Sequence, residues 1–215
     1  MKVFLKIALL CSLSAAAWGA EENFEQANVE TTLPAIKRGA DEVMGNCHAC
    51  HTLKYIKYRD LVALGISQAK VDGWRGDEPM DAPLKAQMSE ADAMAAFNKV
   101  PPDLSLMSQA RDGGVNYLYS YLIGYFNKPD GTLSNHIFAE TKMPDMLGMS
   151  NATDEVQKTA IKAKARDIVS FLNWTTDPHA AERIQLGKYV IAYLIVITTL
   201  LYLVKRQIWA RIKYK

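Results

Sequence analysis

Cysteine and histidine are both scarce in this chain, with three and four among 215 residues. Cys11 falls in an N-terminal apolar run, which leaves Cys47 and Cys50 as a single pair in the remainder. A structural zinc site wants a second ligand pair at short range, and there is no second Cys-x-x-Cys to provide it. A thioredoxin-like redox pair should sit in a βαβ pattern, and none surrounds these residues. Acidic residues are missing beyond Glu182, and charge of either sign is missing from Tyr189 to Val204. The 49% apolar content fits one or two globular domains and argues against disorder.

The two ends carry opposite meanings. Lys2 and Lys6 precede an apolar run, Ile7 to Leu13, that gives way to Ser14, Ala15, Ala16 and Ala17. That order reads as a secretory signal peptide, too short to span ~30 Å of hydrocarbon, with cleavage after Gly19 or after Ala17. Near the C-terminus, Tyr189 to Val204 extends through Gly187 and Leu186 across Lys188, whose stem can snorkel, and reads as one transmembrane helix. Tyr189, Tyr193, Tyr202 and Trp209 stand where an aromatic belt would set its depth. Lys205, Arg206, Arg211, Lys213 and Lys215 follow, and the positive-inside rule places them in the cytoplasm. The expected organisation is a signal peptide over 1–19, a periplasmic domain over 20–185, a membrane helix over 186–205 and a basic cytoplasmic tail over 206–215. That describes a single-pass protein of a bacterial inner membrane.

The formal net charge of +2 conceals an asymmetry. All 23 acidic residues lie between Glu21 and Glu182, and the external region over 20–185 holds only 17 of the 25 basic ones, so it carries −6. This sign excludes a nucleic-acid footprint and would attract a basic soluble partner. The densest acidic stretch holds Asp72, Asp77, Glu78, Asp81, Glu90 and Asp92 beside only Arg75 and Lys85.

Cys47-His48-Ala49-Cys50-His51 is Cys-x-x-Cys-His, the signature of c-type haem attachment. Two thiols add to the two porphyrin vinyl groups, and the histidine directly after the second thiol can place its imidazole on the iron. Its other ring nitrogen ordinarily donates to a backbone carbonyl, which fixes the ring plane. A simple disulfide is the competing reading, opposed by the adjacent His51. His48, inside the loop, reads as a solvated residue. A haem enzyme such as a peroxidase would want an open or histidine-ligated site and usually a second such motif.

The fold class expected is mainly α: a cytochrome c-like helical domain around one covalent haem, plus the C-terminal transmembrane helix. Ile36, Ala40, Val43 and Cys47 share one face of a helix leading into the motif. Its packing partner is expected at Asp154 to Trp174, capped by Thr153, with Ile161, Ala165, Ile168 and Leu172 as its stripe and Pro178 beyond its end. A third helix follows Gly113-Gly114, with Tyr117, Leu118, Tyr121, Leu122 and Tyr125 on its apolar face, the tyrosines serving as core rather than as redox relays. For the sixth iron ligand, Met143 stands before Pro144, which holds it in extended backbone after the turn-rich stretch around Pro129-Asp130-Gly131. Met146 and His136 are the alternatives.

Taken together the blocks resemble one family. The Cys-His-Ala-Cys-His motif is followed by Tyr58-Arg59-Asp60-Leu61, then Pro101-Pro102-Asp103-Leu104-Ser105, then Ala110-Arg111-Asp112-Gly113-Gly114 with Tyr117. The Met143-Pro144 loop and Phe171-Leu172-x-Trp174-x-x-Asp177-Pro178 come next, before an anchor ending in Lys205-Arg206. From about residue 35 onward this order resembles the cytochrome c1 family. The resemblance implies a subunit of the cytochrome bc1 complex, the respiratory ubiquinol–cytochrome c reductase. The chain alone would only transfer electrons, from the Rieske iron-sulfur protein to a soluble or tethered cytochrome c, with cytochrome b as the other partner and lipid around the anchor. Carried over by motif, Cys47 and Cys50 look like the thioether positions of a single haem c, and His51 and Met143 like its axial ligands. Arg111 looks like the arginine near a haem propionate, and Pro101 and Pro102 like a wall of the haem pocket. The other function class left open is a free-standing tethered c-type carrier feeding an oxidase or a denitrification enzyme.

Overall fold

The computed structural model describes residues 24–213, in two units that meet between Thr176 and Asp177. The expected signal peptide lies outside the described residues. Seven α-helices occur among the described residues, so the mainly helical class holds, with two short two-stranded sheets added to it.

In the first unit, helix α1 (Leu33–Glu42) has Pro34 in its first turn, where a missing N–H costs nothing. It buries Ala35, Ile36, Gly39 and Ala40, and then opens into a single π turn, Val43–Cys47. The π turn is closed by His48 N–H donating to the Val43 carbonyl at 2.9 Å, and such bulges are common where function sits. The expected face of Ile36, Ala40, Val43 and Cys47 is buried throughout. Next come β1 (Leu53–Lys57), α2 (Tyr58–Ala63), α3 (Gln68–Arg75), β2 (Pro83–Leu84) and α4 (Glu90–Phe97). β1 and β2 pair antiparallel, with Leu53 opposite Leu84.

Helix α5 (Gly114–Ile123) follows the double glycine. Gly113 has φ of +82°, and a Cβ there would lie 2.3 Å from the Phe24 ring, so both backbone and packing require glycine. Leu118, Tyr119 and Leu122 are buried on it while Tyr117 and Tyr121 are half-buried. Tyr125, expected on this helix, is instead the first residue of β3 (Tyr125–Asn127), which forms a hairpin with β4 (Leu133–Asn135). The chain leaves the helix at Gly124 because Asn135 takes over its end, donating Nδ2–H to the Tyr121 carbonyl at 2.8 Å.

A turn of 3₁₀ helix at Met149–Asn151 leads to α6 (Glu155–Thr176). Its cap is Asp154 rather than Thr153, since Asp154 Oδ1 accepts from Gln157 N–H at 2.8 Å. Ala165, Ile168, Val169, Phe171 and Leu172 are buried on α6, which packs against both α1 and α5. The α1–α6 crossing is tight enough that a Cβ on Gly39 would stand 1.9 Å from the Asp167 carbonyl oxygen. Arg38 brackets the crossing with a two-pronged ion pair to Asp167, at 2.7 and 2.8 Å.

The second unit is helix α7 (Ala180–Lys213). Arg183 anchors its start by donating to the Asp177 carboxylate at 3.0 and 2.5 Å. It is long and apolar enough to cross a membrane, and at ~1.5 Å per residue it is longer than a ~30 Å core is thick. Thr199 returns its hydroxyl to the Ile195 carbonyl at 2.8 Å, which leaves no side-chain donor to satisfy in lipid at that position.

Candidate haem-attachment site

The motif turn is built from its own backbone. Cys50 N–H and His51 N–H both donate to the Cys47 carbonyl, at 3.1 and 2.9 Å, which brings both cysteines and the histidine onto one turn. Gln87 and Met88 cover it, donating to the carbonyls of His48 and Ala49. Cys47 is buried and Cys50 half-buried, and neither forms a disulfide. Burial first, then Glu42 and Cys50, pushes the Cys47 thiol up to about 12. A dithiol redox catalyst needs a depressed thiol pKa, so the site is built against that chemistry.

His51 is oriented through its ring. Its Nδ1 lies 2.7 Å from the Pro102 carbonyl oxygen, so Nδ1–H donates there and Nε2 is the unprotonated ring nitrogen. Burial lowers the His51 pKa, and the Pro102 carbonyl and Asp103 pull the other way. Pro102 is held in turn by Asp103, which accepts from Thr52 Oγ1 at 2.6 Å, Lys54 N–H at 2.8 Å and Ser105 N–H at 3.0 Å. Leu104 N–H adds a bond to the Thr52 carbonyl at 2.9 Å. Burial raises the Asp103 pKa, but the hydrogen bonds from Thr52, Lys54 and Ser105 outweigh it and leave the carboxyl below its usual range. Asp103 is thus the clamp between the segment after the motif and the Pro101-Pro102 segment. The resemblance contained it within Pro-Pro-Asp-Leu-Ser without giving it a task.

Met143 is half-buried and packs on the core, whereas Met146 is 40% exposed. Met143 N–H donates to Thr141 Oγ1 at 3.2 Å, and its carbonyl accepts from the Tyr125 hydroxyl at 3.2 Å. The Asp145 carboxylate accepts from Gly148 N–H and Ser150 N–H at 2.9 and 2.7 Å, which folds the remainder of the loop on itself. His136 is exposed and stacks on Phe126, with ring centroids 4.2 Å apart. Arg111 is exposed, donates to the Ala110 carbonyl at 3.1 Å, and has no carboxylate partner among the described residues. Pro101 is half-buried and Pro102 exposed.

His48 corrects the sequence reading. It is 2% exposed rather than solvated, and both ring nitrogens lack a hydrogen-bond partner among the described residues. Burial lowers its pKa, so it is a neutral imidazole. Alternation of polar and apolar residues gave no hint of this, because the cover comes from residues nearly forty positions downstream.

No group of three or more His, Cys, Asp or Glu side chains among the described residues is placed to hold a bare metal ion. The donor set suits instead a metal that arrives within a macrocycle: two unlinked thiols, one imidazole with a free Nε2, and an unpaired guanidinium. A helical domain with this turn, joined in sequence to a long apolar helix, defines the class of membrane-anchored c-type cytochromes. The comparisons narrow the class. The model of the Cytochrome C1 family matches residues 22–78 and 72–212. Cytochrome c1 of Allochromatium vinosum is 30% identical over 234 residues, covering 94% of each chain. Cytochrome c1 of Rhodospirillum rubrum is 29% identical over 225 residues, 84% of this chain and 83% of the relative. A protein of Nitrosomonas europaea named ammonia monooxygenase gamma subunit is 26% identical over 230 residues, 97% of each. This chain belongs to the cytochrome c1 family, and with membership comes a haem-c electron-transfer role.

Proposed function

We propose that this chain is the haem-c subunit of a ubiquinol–cytochrome c reductase, carrying one covalent haem and passing electrons from a Rieske iron-sulfur protein to a cytochrome c. The observation that supports the site assignment is the hydrogen bond from His51 Nδ1 to the Pro102 carbonyl, which makes Nε2 the ring nitrogen with a lone pair. When bound, haem c supplies one-electron chemistry between ferric and ferrous iron. Cys47 and Cys50 would hold it through their thiols, and His51 Nε2 and Met143 would ligate its iron. Arg111, free of any carboxylate of the described residues, is the partner for a propionate that would otherwise stand unpaired. Pro101 and Pro102 form a wall that excludes water.

In the cell, cleavage near Gly19 leaves the domain up to about residue 185 in the periplasm. Residues 186–205 cross the inner membrane beside cytochrome b and lipid, and residues 206–215 face the cytoplasm. The basic acceptor docks on the acidic face. There Asp72 is bound by Arg75 at 2.7 Å and Asp81 by Arg59 at 2.5 Å. Asp77, Glu78, Glu90 and Asp92 have no cationic partner among the described residues and supply the field.

The Nitrosomonas relative favours a second reading, a c-type carrier serving an oxidising enzyme outside any quinol complex. Mild-detergent purification of the tagged full chain from native membranes separates the two. A diheme cytochrome b and a Rieske protein in stoichiometric amounts support the first reading, and their absence supports the second.

A further inference from the structure

The Met143 peptide is held on both sides by hydroxyl groups that also touch one another. Met143 N–H donates to Thr141 Oγ1 at 3.2 Å, and Thr141 Oγ1 is in hydrogen-bond contact with the Tyr121 hydroxyl. The Tyr121 and Tyr125 hydroxyls lie 3.2 Å apart, and Tyr125 O–H donates to the Met143 carbonyl at 3.2 Å. Each hydroxyl carries one proton and its rotor is free to turn. Tyr125 turns its one proton toward two acceptors, the Tyr121 hydroxyl and the Met143 carbonyl, while either oxygen can donate in the Tyr121–Thr141 contact.

We infer that Tyr121, Tyr125 and Thr141 are positioning residues that clamp Met143 toward its ligand position. The tyrosines come from a rigid part of the fold. Tyr121 is on α5, packed against α6, and Tyr125 opens β3 with its ring buried. The rings of Tyr117 and Tyr121 stack with centroids 6.2 Å apart and those of Tyr121 and Tyr125 meet edge to face at 5.7 Å, so the hydroxyl ends cannot drift independently. Met143 by contrast is on a loop, with proline on one side and no ladder on the other. A loop ligand without such a clamp would leave the iron often, and each departure opens a coordination position.

The inference rests on Met143 being the sixth ligand, and the test separates the two. Holoprotein of the full chain is prepared with Tyr125→Phe, with Thr141→Val, which keeps side-chain shape, and with Met143→Leu. Cyanide association with ferric haem measures how often the ligand leaves. Loss of one buried hydrogen bond should raise that rate about tenfold in both hydroxyl variants, with the sulfur-to-iron absorption retained at rest. Cyanide rates equal to wild type in both variants overturn the clamp. If Met143→Leu keeps the sulfur-to-iron absorption, the ligand assignment falls, and the clamp with it.

Discussion

Asp103→Ala removes the carboxylate that ties the Pro101-Pro102 segment to the strand after the motif. Three bonds go with it, from Thr52 Oγ1 at 2.6 Å, Lys54 N–H at 2.8 Å and Ser105 N–H at 3.0 Å. Hydrogen bonds to a charged group are worth about 1.5–3 kcal/mol each, but this carboxylate is half-exposed and water replaces part of what is lost, so the sum comes to about 3 kcal/mol. For a domain of this size that corresponds to a fall in Tm of about 6–12 °C. Haem-region circular dichroism of the detergent-solubilised holoprotein follows the melt. The folded pKa lies below the unfolded value of about 3.9, so the charged carboxylate stabilises fully above pH ~4 and loses its effect as pH falls through the folded pKa. The gap in Tm between wild type and Asp103→Asn should therefore stay constant from pH 9 down to about pH 5 and narrow only on acidification below about pH 4. A fall of less than about 2 °C for Asp103→Ala at neutral pH would refute the anchor, given the sensitivity of a domain this large.

Gly39→Ala should be severely destabilising, about 3 kcal/mol or more, because the new methyl meets the Asp167 carbonyl at 1.9 Å and the helices must part; chemical denaturation reads the loss. Met143→Leu should abolish the sulfur-to-iron absorption of the oxidised protein and lower the haem potential by a large margin, while Met146→Leu, at a 40% exposed position, should do neither. Cys47→Ser or Cys50→Ser should leave a haem held by one thioether or lost, and the mature wild-type holoprotein should show no thiol to a labelling reagent. Neutralising Asp77 and Glu78 together should slow electron transfer to a basic cytochrome at low salt and flatten its salt dependence, since the Debye length shrinks to ~3 Å at 1 M. Adding an Asp81 change should do little more, because Arg59 already holds that carboxylate.

The sequence was legible where local periodicity and chemistry coincide. Ile36, Ala40, Val43 and Cys47 declared the buried face of α1, and the stripe from Ala165 to Leu172 declared its partner. The uncharged run from Tyr189 declared α7 as long and apolar. What stayed hidden depends on residues far apart. Tyr125 read as helical because its spacing from Tyr121 is four, yet Asn135, distant in sequence, ends the helix at Gly124. His48 looked solvated because its turn is bonded by Gln87 and Met88, far along the chain. The short β1–β2 pair left no alternating pattern, since Pro83–Leu84 is two residues long. The acidic stretch showed only Arg75 and Lys85 as counter-charges, because Arg59 lies outside it and reaches Asp81 through the fold.

The central claim is that electrons enter this chain from a Rieske protein within a quinol-oxidising complex. In native membranes carrying the full chain, reduction of its haem by added quinol is followed optically before and after the Rieske protein is extracted, and again after it is restored. The account predicts that reduction stops on extraction and returns on restoration. Quinol reduction that continues at the original rate without the Rieske protein would contradict it.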